Sequence, residues 1–257
     1  MKNNNETKSN VKSKFIIIMV ICCLAGGIAG GLMGYLSENI DLSSVFQNAD
    51  IYLAYIIPAI SIVLFVIALC FCISNYSKAK KIYSSWDGEN EESINIAELS
   101  LNKCITFNNI NFILAFFLYG VGIYFDKYID NKNINLLISS IIGIIFLANL
   151  VFAITMQRSA VELAKKISPE KKGDVLDFKF DKVWFSSLDE GEMLIQYKAA
   201  FKSYKYTTNA CAALWLICLM GELFFNIGLA PMVFVSFIWL LSTIVYQVNV
   251  IKLENKR

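Results

Sequence analysis

Hydrophobic residues along this chain are grouped into long uninterrupted blocks separated by polar segments. An α-helix needs roughly 20 apolar residues to cross the hydrocarbon core of a bilayer, and six blocks reach that length. Only the fifth block contains a charged residue, Glu222. The pattern predicts an all-α membrane protein with six transmembrane helices. These lie at about 15–36, 52–75, 105–125, 134–156, 207–226 and 228–249.

Four of the polar segments hold 21 of the 23 lysines and arginines, and the loops between them hold only Lys127 and Lys132. By the positive-inside rule, such segments face the cytoplasm. We therefore expect a multi-pass protein of the cell membrane with both termini and both long linkers cytoplasmic. The cytoplasmic segments are a tail at 1–14, linkers at 76–104 and 157–206, and a tail at 250–257.

This orientation divides a small net charge of +2 into a basic cytoplasmic face and an acidic outer face. A basic face next to the bilayer suits anionic lipid headgroups, so the lipid surface is the first expected partner. A cytoplasmic protein partner and a homo-oligomer are the others considered. Nothing in the charge pattern favours nucleic acid.

The first predicted span is rich in glycine, and glycines four residues apart let a second helix approach closely. The partner helix is either another span of this chain or a second protomer. A signal peptide is the alternative for this segment, but its hydrophobicity continues after Ala29, which favours a retained span. The stripe comprises Gly26, Gly30 and Gly34, with Gly27 and Gly31 beside it.

Two polar linkers share a short motif. Ala79-Lys80-Lys81-Ile82 follows the second span, and Ala164-Lys165-Lys166-Ile167 follows the fourth. An acidic turn comes after each motif, so we predict a parallel internal repeat of residues 52–125 and 134–226. The second copy carries an insertion near 168–184.

Residues 177–181 in this insertion alternate polar and apolar side chains, which predicts a short strand or an extended segment. Ser187-Leu188-Asp189-Glu190 then fits a capping box that begins a helix. Aromatic and basic residues recur along that helix at spacings of three and four, as expected at the headgroup level. The candidate partner or lipid contacts are Trp184, Asp189, Glu190, Glu192, Tyr197, Lys198, Phe201, Lys202 and Lys205.

No catalytic motif is visible in the sequence, which contains no histidine. Zinc hydrolase and Ser-His-Asp chemistries are thereby excluded, and we expect no enzyme, no metal and no cofactor. Seven cysteines, an odd number lying mostly in the spans, do not form a disulfide framework. The acidic turns near Asp87 and Asp189 are expected to be hydrated carboxylates at helix starts rather than a cation site.

Glu222 is the candidate functional residue inside the membrane, because burying a charge in lipid is costly. Its position near the outer end of the fifth span favours a structural carboxylate, with a transport or ligand role as the alternative. Several asparagines in the spans are candidates for hydrogen bonds between helices. They are Asn108, Asn109, Asn111, Asn149 and Asn209.

Several segments together resemble an uncharacterised bacterial family of six-span membrane proteins, domain of unknown function 3169. They include Trp86-Asp87-Gly88-Glu89, Val175-Leu176-Asp177-Phe178, Ser187-Leu188-Asp189-Glu190-Gly191-Glu192 and Tyr197-Lys198-Ala199-Ala200-Phe201-Lys202. The resemblance implies a membrane protein without assigned chemistry, although some members carry the label of ABC-transporter permease.

Three function classes follow. We expect a non-enzymatic accessory, regulatory or immunity-type protein that acts through its cytoplasmic linkers. The alternative is a transporter or permease subunit whose ATPase is a separate chain, and a membrane-embedded enzyme is the third class.

Overall fold

The computed structural model describes residues 42–254 and nine positions between residues 17 and 35. Those nine positions, which fall in the first predicted span, are helical. The tail at 1–14, residues 255–257, and Gly26, Gly30 and Gly34 lie outside the described residues. Gly27 and Gly31 are exposed, and no described atom lies within 4 Å of a Cβ built on either glycine.

Six α-helices and no strand occur within residues 42–254. Five of the six are long and apolar enough to cross a membrane, so the all-α prediction is confirmed for this part of the chain. The helices are α1 (Leu42–Ser84), α2 (Glu91–Asp126), α3 (Lys132–Ile167), α4 (Phe180–Ser186), α5 (Glu190–Phe225) and α6 (Ala230–Glu254).

The helices are longer than the hydrophobic blocks that predicted them. α1 and α3 continue through their polar ends to Ser84 and Ile167, and α5 begins at Glu190, well before its apolar block. The predicted linkers are therefore built largely from continuations of the spanning helices. The length of a hydrophobic block reflects the thickness of the bilayer core. A helix instead ends where turns and capping side chains form hydrogen bonds with its terminal backbone groups.

The described chain divides into two compact units, of which one is Val45–Ile195. In this unit α2 and α3 pack side by side as a hairpin. Asn131 caps α3 by accepting hydrogen bonds from Asn133 N at 3.0 Å and Ile134 N at 3.3 Å. Beside this loop, Ser139 Oγ donates to a carboxylate oxygen of Asp126 at 2.7 Å.

Small buried groups of apolar residues hold α1 against this hairpin. Two groups combine residues from all three helices, and one combines residues of α1 and α3 with the α2–α3 loop, as an interdigitated helical core requires. One group is Ala54, Ile129, Ile138 and Ile142; a second is Cys72, Cys104 and Met156; a third is Ala79, Ala97, Leu101, Ala160, Leu163 and Ile167.

The second unit contains α6 and most of α5. Tyr204 of α5 stacks on Tyr246 of α6 with ring centroids 4.1 Å apart. The most apolar window of α6 has a mean hydropathy of 1.8, and none of its residues is buried. A helix this apolar and this exposed is stable where lipid surrounds it, since lipid removes the cost of exposing apolar surface to water.

Candidate functional site

The polar ends of α1, α2 and α3 meet over the third apolar group, and both Ala-Lys-Lys-Ile motifs contribute to it. Ala79 and Ile167 lie inside this core, and Ile82 and Ala164 pack against it. The apolar members of each motif thus face inward, while Lys80 and Lys166 are exposed. The two motifs share one environment in the fold, and the internal repeat remains a prediction.

A cleft separates the polar ends of α1 and α3, with a volume of about 260 Å³. We call it the α1–α3 cleft. Each helix supplies one stripe of side chains at spacings of three and four, the spacing of one helical face. The lining residues are Tyr76, Lys80, Tyr83 and Ser84 from α1, and Ser159, Glu162, Leu163 and Lys166 from α3.

The chain from residue 168 to residue 189, here the insertion segment, is fastened to the bundle by an ion cluster. Lys171 Nζ lies 3.4 Å from Glu98 Oε1 and 2.8 Å from Glu192 Oε1. Ser168 Oγ donates to the same Glu98 oxygen at 2.9 Å. The cluster ties the start of the insertion segment to α2 and to the first turn of α5.

The Lys171 side chain is only 10 % exposed in this cluster. Burial lowers the pKa of a lysine, but the hydrogen bond that Lys171 donates to Glu192 and the charges of Glu98 and Glu192 outweigh it and raise the pKa of Lys171 above its usual 10.5. The ammonium group is therefore fully charged near neutral pH, and it neutralises two carboxylates that flank it. Neither Lys171 nor Glu98 was among the candidate residues.

Two tight turns precede α4, where the sequence predicted a strand. The side chain of Asp174 accepts a hydrogen bond from Leu176 N at 3.0 Å, and that of Asp177 accepts one from Lys179 N at 2.9 Å. Helix α4 then begins at Phe180. The strand prediction was wrong because aspartate side chains that bond backbone N–H groups two residues later favour turns.

These turns expose two apolar side chains. Phe178 is fully exposed and Leu176 is 59 % exposed, while Trp184, a candidate residue, is half-buried in α4 with its ring 5.6 Å from that of Phe180. The insertion segment thus exposes two apolar side chains next to α4. We call Leu176 and Phe178 the apolar tip.

The capping box at the start of α5 exists, but it is formed two residues later than predicted. Asp189 accepts a hydrogen bond from Glu192 N at 2.6 Å, and Glu192 Oε2 accepts one from Asp189 N at 3.4 Å. Ser187 instead accepts from Lys172 N at 3.0 Å, which closes the insertion segment on itself. Asp189 and Glu192 are therefore structural in this conformation, while Glu190 is exposed in the first turn of α5.

The other candidate residues lie on α5 and are all exposed. They line one groove together with Tyr206 and Asn209, so aromatic and basic side chains border the same groove. Tyr204 departs from this face and stacks on α6. The residues on the groove are Tyr197, Lys198, Phe201, Lys202 and Lys205.

Glu222 lies at the end of α5, where it organises the turn into α6. One of its carboxylate oxygens accepts a hydrogen bond from Gly228 N at 2.6 Å. Asn226 and Gly228 in this turn have φ values of 50° and 87°, which asparagine and glycine tolerate best. The carboxylate thus satisfies backbone that the turn leaves unpaired.

Three of the five candidate asparagines form hydrogen bonds between α2 and α3. Asn108 Nδ2 donates to Ala153 O at 2.9 Å, and Asn111 Nδ2 donates to Asn149 Oδ1 at 2.8 Å. The three are buried, whereas Asn109 and Asn209 are exposed. Asn111 and Asn149 also line a cavity of only about 10 Å³, which is about the space of one water molecule.

The acidic turn near Asp87 is likewise engaged by backbone. Its carboxylate accepts hydrogen bonds from Glu89 N and Asn90 N, both at 3.1 Å, and these bonds lower the pKa of Asp87. Within the described residues, no group of three histidine, cysteine, aspartate or glutamate side chains is arranged to hold a metal ion.

A family model described as "Protein of unknown function (DUF3169)" matches residues 13–250. The chain belongs to this family. The match covers nearly the whole sequence and confirms the resemblance carried by the linker motifs. No curated protein and no solved structure matches the chain.

Proposed function

We propose that this DUF3169 protein is a non-enzymatic, multi-pass protein of the cell membrane that docks a cytoplasmic protein through its insertion segment. The observation that supports this role is the apolar tip, which is exposed although the chain around it is held by hydrogen bonds and an ion pair. Phe178 is fully exposed, although the chain around it is held by the Asp174 and Asp177 turns and by Lys171. Because the backbone around it is already held in place, less entropy is lost when this aromatic side chain is buried by a partner, which is typical of interface anchors.

The orientation of the proposed surface depends on the charge distribution. The insertion segment belongs to the 157–206 linker, which the positive-inside rule assigns to the cytoplasm. The ion cluster around Lys171 connects this segment with Glu98 of the other cytoplasmic linker. A partner bound at the tip would therefore act on both linkers, because the ion cluster joins them. An accessory or regulatory role requires such a connection.

The transporter alternative depends on polar groups inside the spans. The Glu222 carboxylate is occupied by Gly228 N, and the cavity beside Asn111 and Asn149 has room for about one water molecule. Both observations support structural roles, so we place the docking role first.

The experiment is photocrosslinking in the native host, with a benzophenone side chain introduced at Lys179, next to the tip. We expect one defined cytoplasmic protein as the adduct. Substituting Leu176→Ala and Phe178→Ala in this background should reduce its yield by about tenfold or more, since burying one large apolar side chain contributes about 1.5–3 kcal/mol.

The matched control is Ile96→Ala, which removes an exposed apolar side chain from the other linker and should leave the adduct unchanged. Equal yields from the tip variant and from the Ile96 variant would contradict the proposal. Adducts formed with lipid alone would also overturn it, because the tip would then be a membrane contact.

A further inference from the structure

We propose that the α1–α3 cleft binds the phosphate group of an anionic phospholipid headgroup. The cleft is independent of the apolar tip and of the docking role, since none of its lining residues belongs to the insertion segment. One lysine from each Ala-Lys-Lys-Ile motif, Lys80 and Lys166, lines this concave surface.

The charge of the cleft favours an anion. Lys80 and Lys166 both line it, and neither forms an ion pair with a carboxylate of the described residues. The acidic residue of the lining, Glu162, is paired with Arg158 at 3.1 Å. The two ammonium groups are thus the uncompensated charges of the lining, and a phosphate oxygen is an acceptor suited to both.

The depth of the cleft favours a lipid as the source of that anion. Its first residues, Tyr76 and Ser159, come within one helical turn of the predicted span ends at residues 75 and 156. A helical turn rises 5.4 Å, so the cleft begins where the hydrocarbon core gives way to headgroups. Tyr76 is the kind of residue that settles at this level.

The size and the lining also suit a headgroup. A volume of about 260 Å³ is just below the range of about 300–1,000 Å³ that drug-sized ligands occupy. The Glu162 carboxylate and the hydroxyls of Ser84 and Ser159 add groups that accept hydrogen bonds from the glycerol hydroxyls of phosphatidylglycerol. Basic pockets between transmembrane helices on the cytoplasmic side bind anionic headgroups in this manner.

The base of the cleft is closely packed, so the backbone positions that carry the two lysines are set by buried contacts. Ala79 and Ala160 beneath it are fully buried, and Leu163 is 5 % exposed. Packing of this kind defines the separation of the helix faces that carry Lys80 and Lys166, which a diffuse surface charge does not provide.

The test is native mass spectrometry of the full-length protein released from nanodiscs with defined lipids. We expect phosphatidylglycerol to be retained in preference to phosphatidylcholine. The double variant Lys80→Gln, Lys166→Gln should weaken this retention by about fivefold per lysine, or roughly 25-fold in total. Size-exclusion profiles and thermal unfolding of the variants establish that each is folded.

The matched control is Lys78→Gln with Lys103→Gln, which removes the same charge from exposed lysines of α1 and α2 outside the cleft. An equal loss of phosphatidylglycerol in the control would overturn the proposal, because binding would then follow overall charge. In a separate arm, inorganic phosphate is titrated and followed by ³¹P NMR. Saturable binding of phosphate that needs Lys80 and Lys166, without selective lipid retention, would overturn the assignment to a lipid.

Discussion

Replacing Lys171 by alanine removes the centre of the ion cluster that fastens the insertion segment. Lys171 Nζ lies 2.8 Å from one carboxylate and 3.4 Å from another, so the change leaves Glu98 and Glu192 facing one another without a counter-ion. Fully buried pairs cost about 3–5 kcal/mol when one partner is removed, and exposed pairs contribute about 0–1 kcal/mol.

The Lys171 cluster lies between these limits. The lysine is 10 % exposed, while the two carboxylates are 33 % and 34 % exposed. Hydrogen bonds to charged groups contribute about 1.5–3 kcal/mol, so we expect the insertion segment to lose about 2 kcal/mol of local stability. Since this free energy governs local opening, its backbone amides should exchange about 30-fold faster.

Hydrogen–deuterium exchange of the full-length protein in nanodiscs measures this effect directly. The matched control is Lys172→Ala, which removes an adjacent exposed lysine but keeps the backbone hydrogen bond from residue 172 to Ser187 Oγ. Equal exchange of residues 174–187 in the two variants would refute the argument that the Lys171 cluster holds the segment. The pKa of Lys171 is raised, so its contribution is complete at neutral pH and is lost as the pH rises above about 10.5 and the ammonium group loses its proton.

Three further predictions follow from single contacts. Asn111→Ala should lower the free energy of unfolding of the α2–α3 pair by about 0.6–1.7 kcal/mol, as measured by steric trapping. Asn109→Ala, at an exposed position, should leave this free energy unchanged. Equal losses in the two variants would contradict the assignment of Asn111 to the buried face. Asp189→Ala should cost about 1 kcal/mol by loss of the α5 cap, with faster amide exchange in the first turn of α5. Ser187→Ala should leave exchange in that turn unchanged. If Ser187→Ala speeds exchange there and Asp189→Ala does not, the capping box begins at Ser187, as predicted from the sequence. Glu222→Gln keeps an acceptor for Gly228 N and should melt near the wild type, whereas Glu222→Ala should melt lower; identical melting of both variants would exclude a role in the turn.

Hydropathy predicted the five long apolar helices of residues 42–254 well, because the length of an apolar block depends on the thickness of the bilayer core. It did not predict where the helices end, since local hydrogen bonds decide that. α2 begins at Glu91 because the Asn90 side chain accepts a hydrogen bond from Ser93 N at 3.0 Å. α1 continues to Ser84 because its polar end still buries Ala79 against α2 and α3.

The insertion segment shows the limit of reading a single sequence. Alternation over residues 177–181 is too short to distinguish a strand from a turn, and aspartate side chains made the difference. The Lys171–Glu98 contact joins residues far apart in the sequence, and neither residue has a local pattern that reveals its partner. The sequence predicted a capping box at the start of α5 but placed it two residues too early, because both Ser187 and Asp189 fit its first position.

The asparagines illustrate a partial success. The residue type predicted hydrogen bonds between helices. Which asparagines form these bonds depends on the face of the helix that each one occupies. Asn108 and Asn111 are three apart and point toward α3, whereas Asn109 is rotated by about 100° and remains exposed. The α1–α3 cleft was not predicted, because the lysines of the two motifs come together only when α1 and α3 pack on one core.

The insertion segment and the α1–α3 cleft both have their proposed roles only if they face the cytoplasm. Cysteine labelling in intact cells tests this most directly, with Asp130→Cys in the α2–α3 loop and Lys182→Cys in α4, each in a cysteine-free background. A membrane-impermeant maleimide should label position 130 in intact cells and position 182 only after lysis. Labelling of position 182 in intact cells, or of both positions from the same side, would contradict the account.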